Sequence, residues 1–174
     1  MLHYNLSTLQ RILNAVNLRR SSNPYPVTTC TLTQVDTICH TWFSKNYLPK
    51  DVEKYLKYRY GSGLAISIIA RSLGVTELKV TRGINSFIRK MDWVLEEIMV
   101  CPRGILSIFP EVACQSRVCK AIFNNGIRTV DDLALFNVDD IIYAKGSGLK
   151  KSDKNEIKRL HGLSCKIHTG YVMR

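Results

Sequence analysis

The side chains best suited to chemistry in this sequence are lysines and arginines placed next to glycines. Gly146 and Gly148 form a short glycine turn, and a lysine-rich segment of helical periodicity follows it. A glycine turn that opens a helix exposes several backbone N–H groups in one direction, and adjacent lysines add positive charge. This pattern predicts an anion site that grips the phosphates of a duplex in the minor groove. Its predicted DNA-binding residues are Arg117, Lys120, Gly148, Lys150, Lys151, Ser152 and Lys154.

A second basic pattern lies in residues 66–91, where apolar side chains repeat at helical spacing on both sides of Gly74. Gly74 follows the small Ala70 by four residues, where a tight turn needs a positive φ. Thr76 is a candidate N-cap for the helix after the turn. The pattern favours a helix-turn-helix whose second helix enters the major groove. Its predicted DNA-binding residues are Thr76, Glu77, Lys79, Thr81, Arg82, Asn85, Ser86 and Arg89.

Each pattern has a simpler structural alternative: an αα-hairpin within a bundle, or a glycine loop with solvated lysines. Catalytic motifs are absent from the sequence, which contains no nucleophile elbow, Walker-type loop or His-Glu-x-x-His. The four histidines are isolated, and the paired acids at Asp131 and Asp139 are explained by helix capping. No C-x-x-C pair or zinc-ligand spacing occurs. We therefore expect a binding protein, not an enzyme, with no metal and no cofactor.

The charge balance points to a polyanionic partner. The chain has 25 Lys and Arg against 14 Asp and Glu, a formal net charge of +11, and the excess is strongest in residues 141–174. Basic side chains that displace counterions from phosphates gain affinity for nucleic acid. A membrane surface is the competing partner, but we find no broad basic amphipathic helix, lipidation motif or sufficiently long apolar run. We expect no membrane contact.

Helical periodicity without strand alternation predicts an all-α fold. The predicted order is an N-terminal helix (1–20), a linker (21–30), a helical domain with the helix-turn-helix (31–100), a second linker (101–111) and a small helix-hairpin-helix domain (112–174). Trp93 and Leu135 are predicted to be core, and the cysteines buried and unpaired, as in a reducing compartment. The predicted location is the cytoplasm or nucleoid, with an organelle left open.

Residues 52–97 resemble the region-4-like helix-turn-helix of sigma factors and of phage late-transcription regulators of the ArpU type. The resemblance rests on Lys57-Tyr58-Arg59-Tyr60, a glycine spacer, Ile69-Ala70-x-x-Leu73-Gly74-Val75-Thr76, Val80 and Arg82. It implies promoter DNA or an RNA polymerase as partner. Gly83 departs from the pattern, because glycine inside a helix costs about 1 kcal/mol relative to alanine.

Residues 116–165 resemble the C-terminal domain of the bacterial RNA polymerase alpha subunit. The similar stretches are Gly126–Leu133, Gly148–Ser152, Glu156–Lys158 and Gly162–Ser164. In that resemblance Arg117 stands where the family has a DNA-contacting arginine. Lys120 replaces the family's DNA-binding asparagine, and one extra residue separates Ser152 from Glu156. Similar helix-hairpin-helix units also end repair helicases of the Hel308 type.

Together these patterns predict a double-stranded DNA-binding protein acting in transcription, with RNA polymerase as a candidate second partner. A homodimer formed through the N-terminal helices is a further expectation. Two alternatives remain open: a non-catalytic accessory module of the repair-helicase type, which would prefer forks or single strands, and a protein-interaction adaptor.

Overall fold

The computed structural model describes residues 4–20 and 32–170, and over these residues the fold is all-α, which confirms the predicted class. The chain divides into two compact units, the first ending at Met99 and the second beginning at Val100. The first unit contains α1 (Leu6–Arg20), α2 (Leu32–Ser44), α3 (Lys50–Leu56), a π-helix (Lys57–Gly61), α4 (Ile66–Leu73) and all but the last residue of α5 (Glu77–Val100). The predicted linker at 21–30 lies outside the described residues.

Apolar side chains of α1, α2 and α5 form the core of the first unit. Leu9, Ile12 and Val16 of α1 are fully buried, and α1 packs on α2 and on the π-helix. Trp42 of α2 packs edge-to-face on Phe87 of α5, with ring centroids 5.6 Å apart. Leu9, Ile12 and Val16 of α1 therefore serve this core, and a homodimer through the N-terminal helices stays a prediction.

The π-helix connects α3 to the helix-turn-helix segment. Ser62 N donates to Lys57 O at 3.0 Å, the i→i−5 pairing that defines a π-helix. Gly63 follows with φ +71°, a conformation that glycine adopts at little steric cost. The glycine break expected from the sequence therefore ends a π-turn and redirects the chain into α4.

The second unit contains α6 (Ile105–Ile108), a 3₁₀-helix (Pro110–Cys114), α7 (Ser116–Asn124), α8 (Val130–Leu135), α9 (Val138–Ile142) and α10 (Lys151–His168). The long α10 packs on α7, α8 and α9. Its inward residues Ile157 and Leu160 are fully buried, as their helical spacing predicts. None of the helices described here is long and apolar enough to cross a membrane.

The predicted linker at 101–111 is wrong, because the structure packs this segment into the second unit. Ile105 and Leu106 are fully buried. Ile105 N donates to Arg128 O, and Val130 N donates to Arg103 O, both at 2.9 Å. Pro102 and Gly104 break the regular helix, as the sequence indicates, but the short turns between them still bury apolar side chains.

Three predictions about burial also need correction. Trp93 is 39% exposed and Leu135 is 75% exposed, although both were expected in the core. The five cysteines in the described part of the chain are free, and only Cys39 is buried. The other four, Cys101, Cys114, Cys119 and Cys165, are half-buried. Apolar character alone therefore did not predict how far these side chains are buried.

Candidate nucleic-acid interface

The turn between α4 and α5 has the geometry that its sequence predicts. Gly74 caps α4 in the left-handed conformation, with φ 63° and ψ 33°. Its N–H donates to Ala70 O and Arg71 O, and Val75 N donates to Ala70 O at 3.0 Å. Thr76 Oγ1 accepts a hydrogen bond from Lys79 N at 3.2 Å, so Thr76 caps the start of α5. These contacts fix the direction in which α5 leaves the turn.

The outer face of α5 carries three of the predicted DNA-binding residues in one line. Arg82, Asn85 and Arg89 are exposed and follow each other at spacings of three and four, which places them on one side of the helix. Val80, Ile84 and Phe87 occupy the opposite, buried side. Within the described residues, neither arginine pairs with a carboxylate.

Two apolar side chains that were not predicted as site residues extend this line. Leu78 is 56% exposed and Trp93 is 39% exposed. Together the five residues Leu78, Arg82, Asn85, Arg89 and Trp93 form what we call the α5 crest, about 22 Å long at the usual rise of a helix. The same spacing could have located Leu78 and Trp93 from the sequence, but Trp93 was assigned to the core for its apolar character, and no role was predicted for Leu78.

Lys79 is exposed but lies off the crest and is held by Asp51. Its Nζ is 3.2 Å from Asp51 Oδ2, which also accepts a hydrogen bond from the Tyr55 hydroxyl at 3.2 Å. Partial burial alone would raise the pKa of Asp51, but the hydrogen bonds from Lys79 and Tyr55 outweigh it and lower that pKa. Lys79 is therefore a partly neutralised cation, unlike Arg82 and Arg89.

The remaining residues of the predicted set flank the crest. Thr81 and Ser86 are half-buried on either side of it. Thr76 and Glu77 are exposed at the start of α5. The structure thus brings the predicted residues onto the first half of α5 and its N-cap, and Arg82, Asn85 and Arg89 are the exposed members on the crest.

Gly83 marks the place where Tyr55 packs against α5. A Cβ atom at Gly83 would lie 3.1 Å from Tyr55 Cδ2 and 3.2 Å from Tyr55 Cε2. Glycine here accommodates an aromatic ring of α3, which explains a residue that is otherwise unfavourable inside a helix. The helix continues unbroken through Gly83.

The glycine turn of the second unit also forms as predicted. Gly146 and Gly148 both have positive φ, at 75° and 62°, and both are exposed. Lys150 is the N-cap of α10, and Lys151 and Ser152 are its first, exposed residues. Because the first N–H groups of a helix have no intrahelical partner, this end of α10 presents donors and two lysines together.

Arg117 of α7 lies beside this helix end. Its Nη1 is 3.8 Å from Asp153 Oδ2, and the same oxygen accepts a hydrogen bond from Lys150 N at 2.9 Å. Asp153 therefore links α7 to the start of α10. Lys120, one turn further along α7, is exposed.

Lys154 of α10 contacts an aromatic ring and is half-buried. Its Nζ lies 5.2 Å from the centroid of the Tyr143 ring, within the range of a cation–π contact. Tyr143 itself is largely exposed and was not predicted as a site residue. Its position after α9 gave no sign in the sequence that it would lie beside α10.

Neither a protein-family model nor a curated protein nor a solved structure matches this chain.

Proposed function

We propose that this chain binds double-stranded DNA and acts in transcription, with the α5 crest in the major groove. The observation that carries the proposal is the pair Arg82 and Arg89 on either side of Asn85, exposed on the helix that follows the Gly74 turn. Arginine can donate two hydrogen bonds to guanine, and asparagine can pair with adenine in the same way. A major groove accepts one helix, so a crest of these side chains suits base recognition.

In this proposal the second unit contacts the sugar-phosphate backbone of the DNA. Lys150, Lys151 and the first N–H groups of α10 suit phosphate oxygens, which are recognised by charge and not by base identity. The net charge of +11 supports the same partner. Binding by two modules on one chain raises the effective concentration of the second module.

The transcriptional role rests on the resemblance of the two segments to sigma region 4 and to the polymerase alpha C-terminal domain. Leu78 and Trp93 add apolar surface to the crest. In a major groove, apolar side chains contact the thymine methyl group. RNA polymerase is the protein partner that the resemblance favours.

Equilibrium binding to a labelled duplex, a single strand and a fork, at two salt concentrations, tests the proposal. We expect the duplex to bind most tightly, with affinity falling steeply as salt rises. Lys151→Gln should weaken binding evenly across duplex sequences and reduce the salt slope by about 1. Lys166→Gln is the matched control, since Lys166 is exposed in the last turn of the same helix.

Two other outcomes would favour one of the alternative functions. Preference for the fork or single strand would instead favour the helicase-type accessory role. Failure to bind any nucleic acid at low salt would contradict DNA binding and leave a protein adaptor as the explanation for the basic surface.

A further inference from the structure

A second basic site lies in the first unit and uses none of the predicted DNA-binding residues. A surface cleft of about 430 Å³ is lined by α1, the end of the π-helix and the glycine turn that follows it. Its polar lining comprises Arg11, Asn14, Arg59 and Tyr60, and its apolar lining comprises Ala15 and Leu18. We call it the π-turn cleft.

Both arginines of the π-turn cleft are held in place by backbone carbonyls. Arg11 Nη1 donates to Tyr60 O at 3.0 Å, and Arg59 Nη1 donates to Leu64 O at 3.1 Å. The two accepting carbonyls bracket the turn that contains Gly63. A Cβ at Gly63 would lie 3.7 Å from Arg11 Nη1, so that guanidinium lies beside the turn.

The two guanidinium groups keep most of their donors available. Each arginine carries five N–H donors, and the carbonyl contact of each uses one of them. Among the described residues no carboxylate pairs with Arg11 or with Arg59. Two cations fixed at one cleft without a counter-charge form a site for an anion, and planar guanidinium groups match phosphate oxygens in a bidentate manner.

The remaining lining suits a ligand that carries more than a phosphate. Asn14 Oδ1 accepts a hydrogen bond from Gln10 Nε2 at 2.9 Å, which leaves the Asn14 amide group able to donate. Ala15, the largely exposed Leu18 and the Tyr60 side chain offer apolar contact beside the arginines. The cleft volume lies within the range of small-ligand sites, which is about 300–1,000 Å³.

We propose that the π-turn cleft binds the phosphate group of a nucleotide between Arg11 and Arg59. The nucleotide is either free or part of a nucleic-acid strand, because both sources present the same phosphate chemistry. This inference goes beyond the proposed use of the α5 crest and does not depend on it.

The test is a titration of the full-length, ¹⁵N-labelled protein, followed by NMR, with inorganic phosphate, AMP, adenosine and a short DNA duplex as separate probes. We expect AMP to shift the Arg11 and Arg59 Nε–H signals and the Gly63 amide, whereas adenosine, which lacks the phosphate, leaves them unchanged. Shifts with AMP and with the duplex would show that the cleft binds the phosphate of a free nucleotide and that of a strand. Shifts with the duplex alone would assign the strand backbone. Either result supports the site.

Variants distinguish a specific phosphate site from a general effect of positive charge on the protein surface. Arg59→Gln should weaken the AMP response about tenfold, since it removes a charge-assisted contact. Arg71→Gln makes the same charge change at an exposed position on α4 and should leave the AMP response unaltered. Arg11→Lys keeps the charge but loses the bidentate geometry, and should also weaken binding.

The proposal is overturned if phosphate, AMP and duplex all leave the cleft signals unchanged. It is equally overturned if Arg71→Gln weakens the response as much as Arg59→Gln does. The wild-type titrations with phosphate, AMP, adenosine and the duplex decide the matter even if Arg59→Gln does not fold. Arg82→Gln should alter duplex binding without changing the AMP shifts, so failure of DNA binding by the α5 crest can be distinguished from failure of the π-turn cleft.

Discussion

At the scale of single residues, the chemistry of the α5 surface depends on which cations have intramolecular partners. Arg82 and Arg89 face solvent, whereas Lys79 is held by Asp51, a residue of α3. The sequence could predict which side of α5 faces outward, because a period of 3.6 residues separates the two sides. It could not predict that Lys79 is paired, because its partner lies 28 residues earlier in the chain (79 − 51).

Removal of the negative charge at Asp51 should make Lys79 available to DNA. We expect Asp51→Asn to raise the affinity for duplex a few-fold at low salt, because one more cation can displace counterions. Titration of a labelled duplex at two salt concentrations measures the effect. Glu96→Gln, at an exposed position near the other end of α5, makes the same charge change. An equal gain from Glu96→Gln would show that Lys79 is not involved.

Substitutions at two helical glycines should change stability in opposite directions, because Tyr55 packs closely against Gly83 whereas the space beside Gly162 is open. Gly83→Val should lower the free energy of unfolding by about 1–3 kcal/mol, because its side chain would overlap the Tyr55 ring. Gly162→Ala should raise it by about 0.5–1 kcal/mol, because Gly162 lies inside α10 with nothing within 4 Å of a Cβ atom. Urea unfolding of both variants checks this. A Gly83→Val protein as stable as wild type would contradict the packing argument.

At the scale of elements, the helix starts were the most predictable feature. The paired acids at Asp131 indicated a helix start, and Thr129 caps α8 there: its Oγ1 accepts a hydrogen bond from Asp132 N at 3.1 Å. The Asp132 carboxylate accepts in return from Thr129 N at 2.8 Å. The short α6 and the 3₁₀-helix were not predictable, because their apolar side chains are too few to show a period and are ordered only by contact with the rest of the second unit.

Loss of the Thr129 cap should destabilise the second unit. Thr129→Ala removes the acceptor for Asp132 N, and we expect the free energy of unfolding to fall by about 1 kcal/mol. Chemical denaturation followed by circular dichroism measures the change. Ser152→Ala, at an exposed position at the start of α10, should stay within about 0.5 kcal/mol of wild type. A loss from Ser152→Ala that equals the loss from Thr129→Ala would remove the capping explanation.

The start of α8 should also make stability depend on pH. Backbone hydrogen bonds from Thr129 and Arg128 lower the pKa of Asp132, and hydrogen bonds from Arg103 and then His168 lower that of Asp131. Each carboxyl therefore contributes stability above its unfolded pKa of about 4, and this contribution is lost as the pH falls through the lower folded value.

Unfolding measured at about pH 7 and about pH 3 tests this dependence. The stability difference between wild type and Asp132→Asn should shrink at the lower pH, because the unfolded carboxyl binds a proton there and the advantage of the lowered folded pKa is progressively lost. Asp140→Asn, which alters an exposed acid at the start of α9, is the matched charge control. A wild-type advantage over Asp132→Asn that is the same at both pH values would contradict the assignment.

At the scale of the whole molecule, the chain combines two helical units that carry separate basic surfaces. The all-α class and the positions of both glycine turns followed from the sequence, because helical period and glycine placement are local properties. The boundary was misplaced, because residues 101–111 are rich in helix breakers and yet pack into the second unit. The sequence did not predict the π-turn cleft either, because Arg11 and Arg59 are 48 residues apart (59 − 11) and only the fold brings them together.

The most direct test of DNA recognition is selection of bound sequences from a pool of random duplexes, with wild type and two variants. We predict that wild type enriches a sequence motif. Arg82→Ala should blur one or two positions of that motif, and Lys151→Ala should lower recovery evenly across all sequences. If no duplex is retained at low salt, or if Arg82→Ala enriches the same motif as wild type, the assignment of the α5 crest to base recognition is wrong.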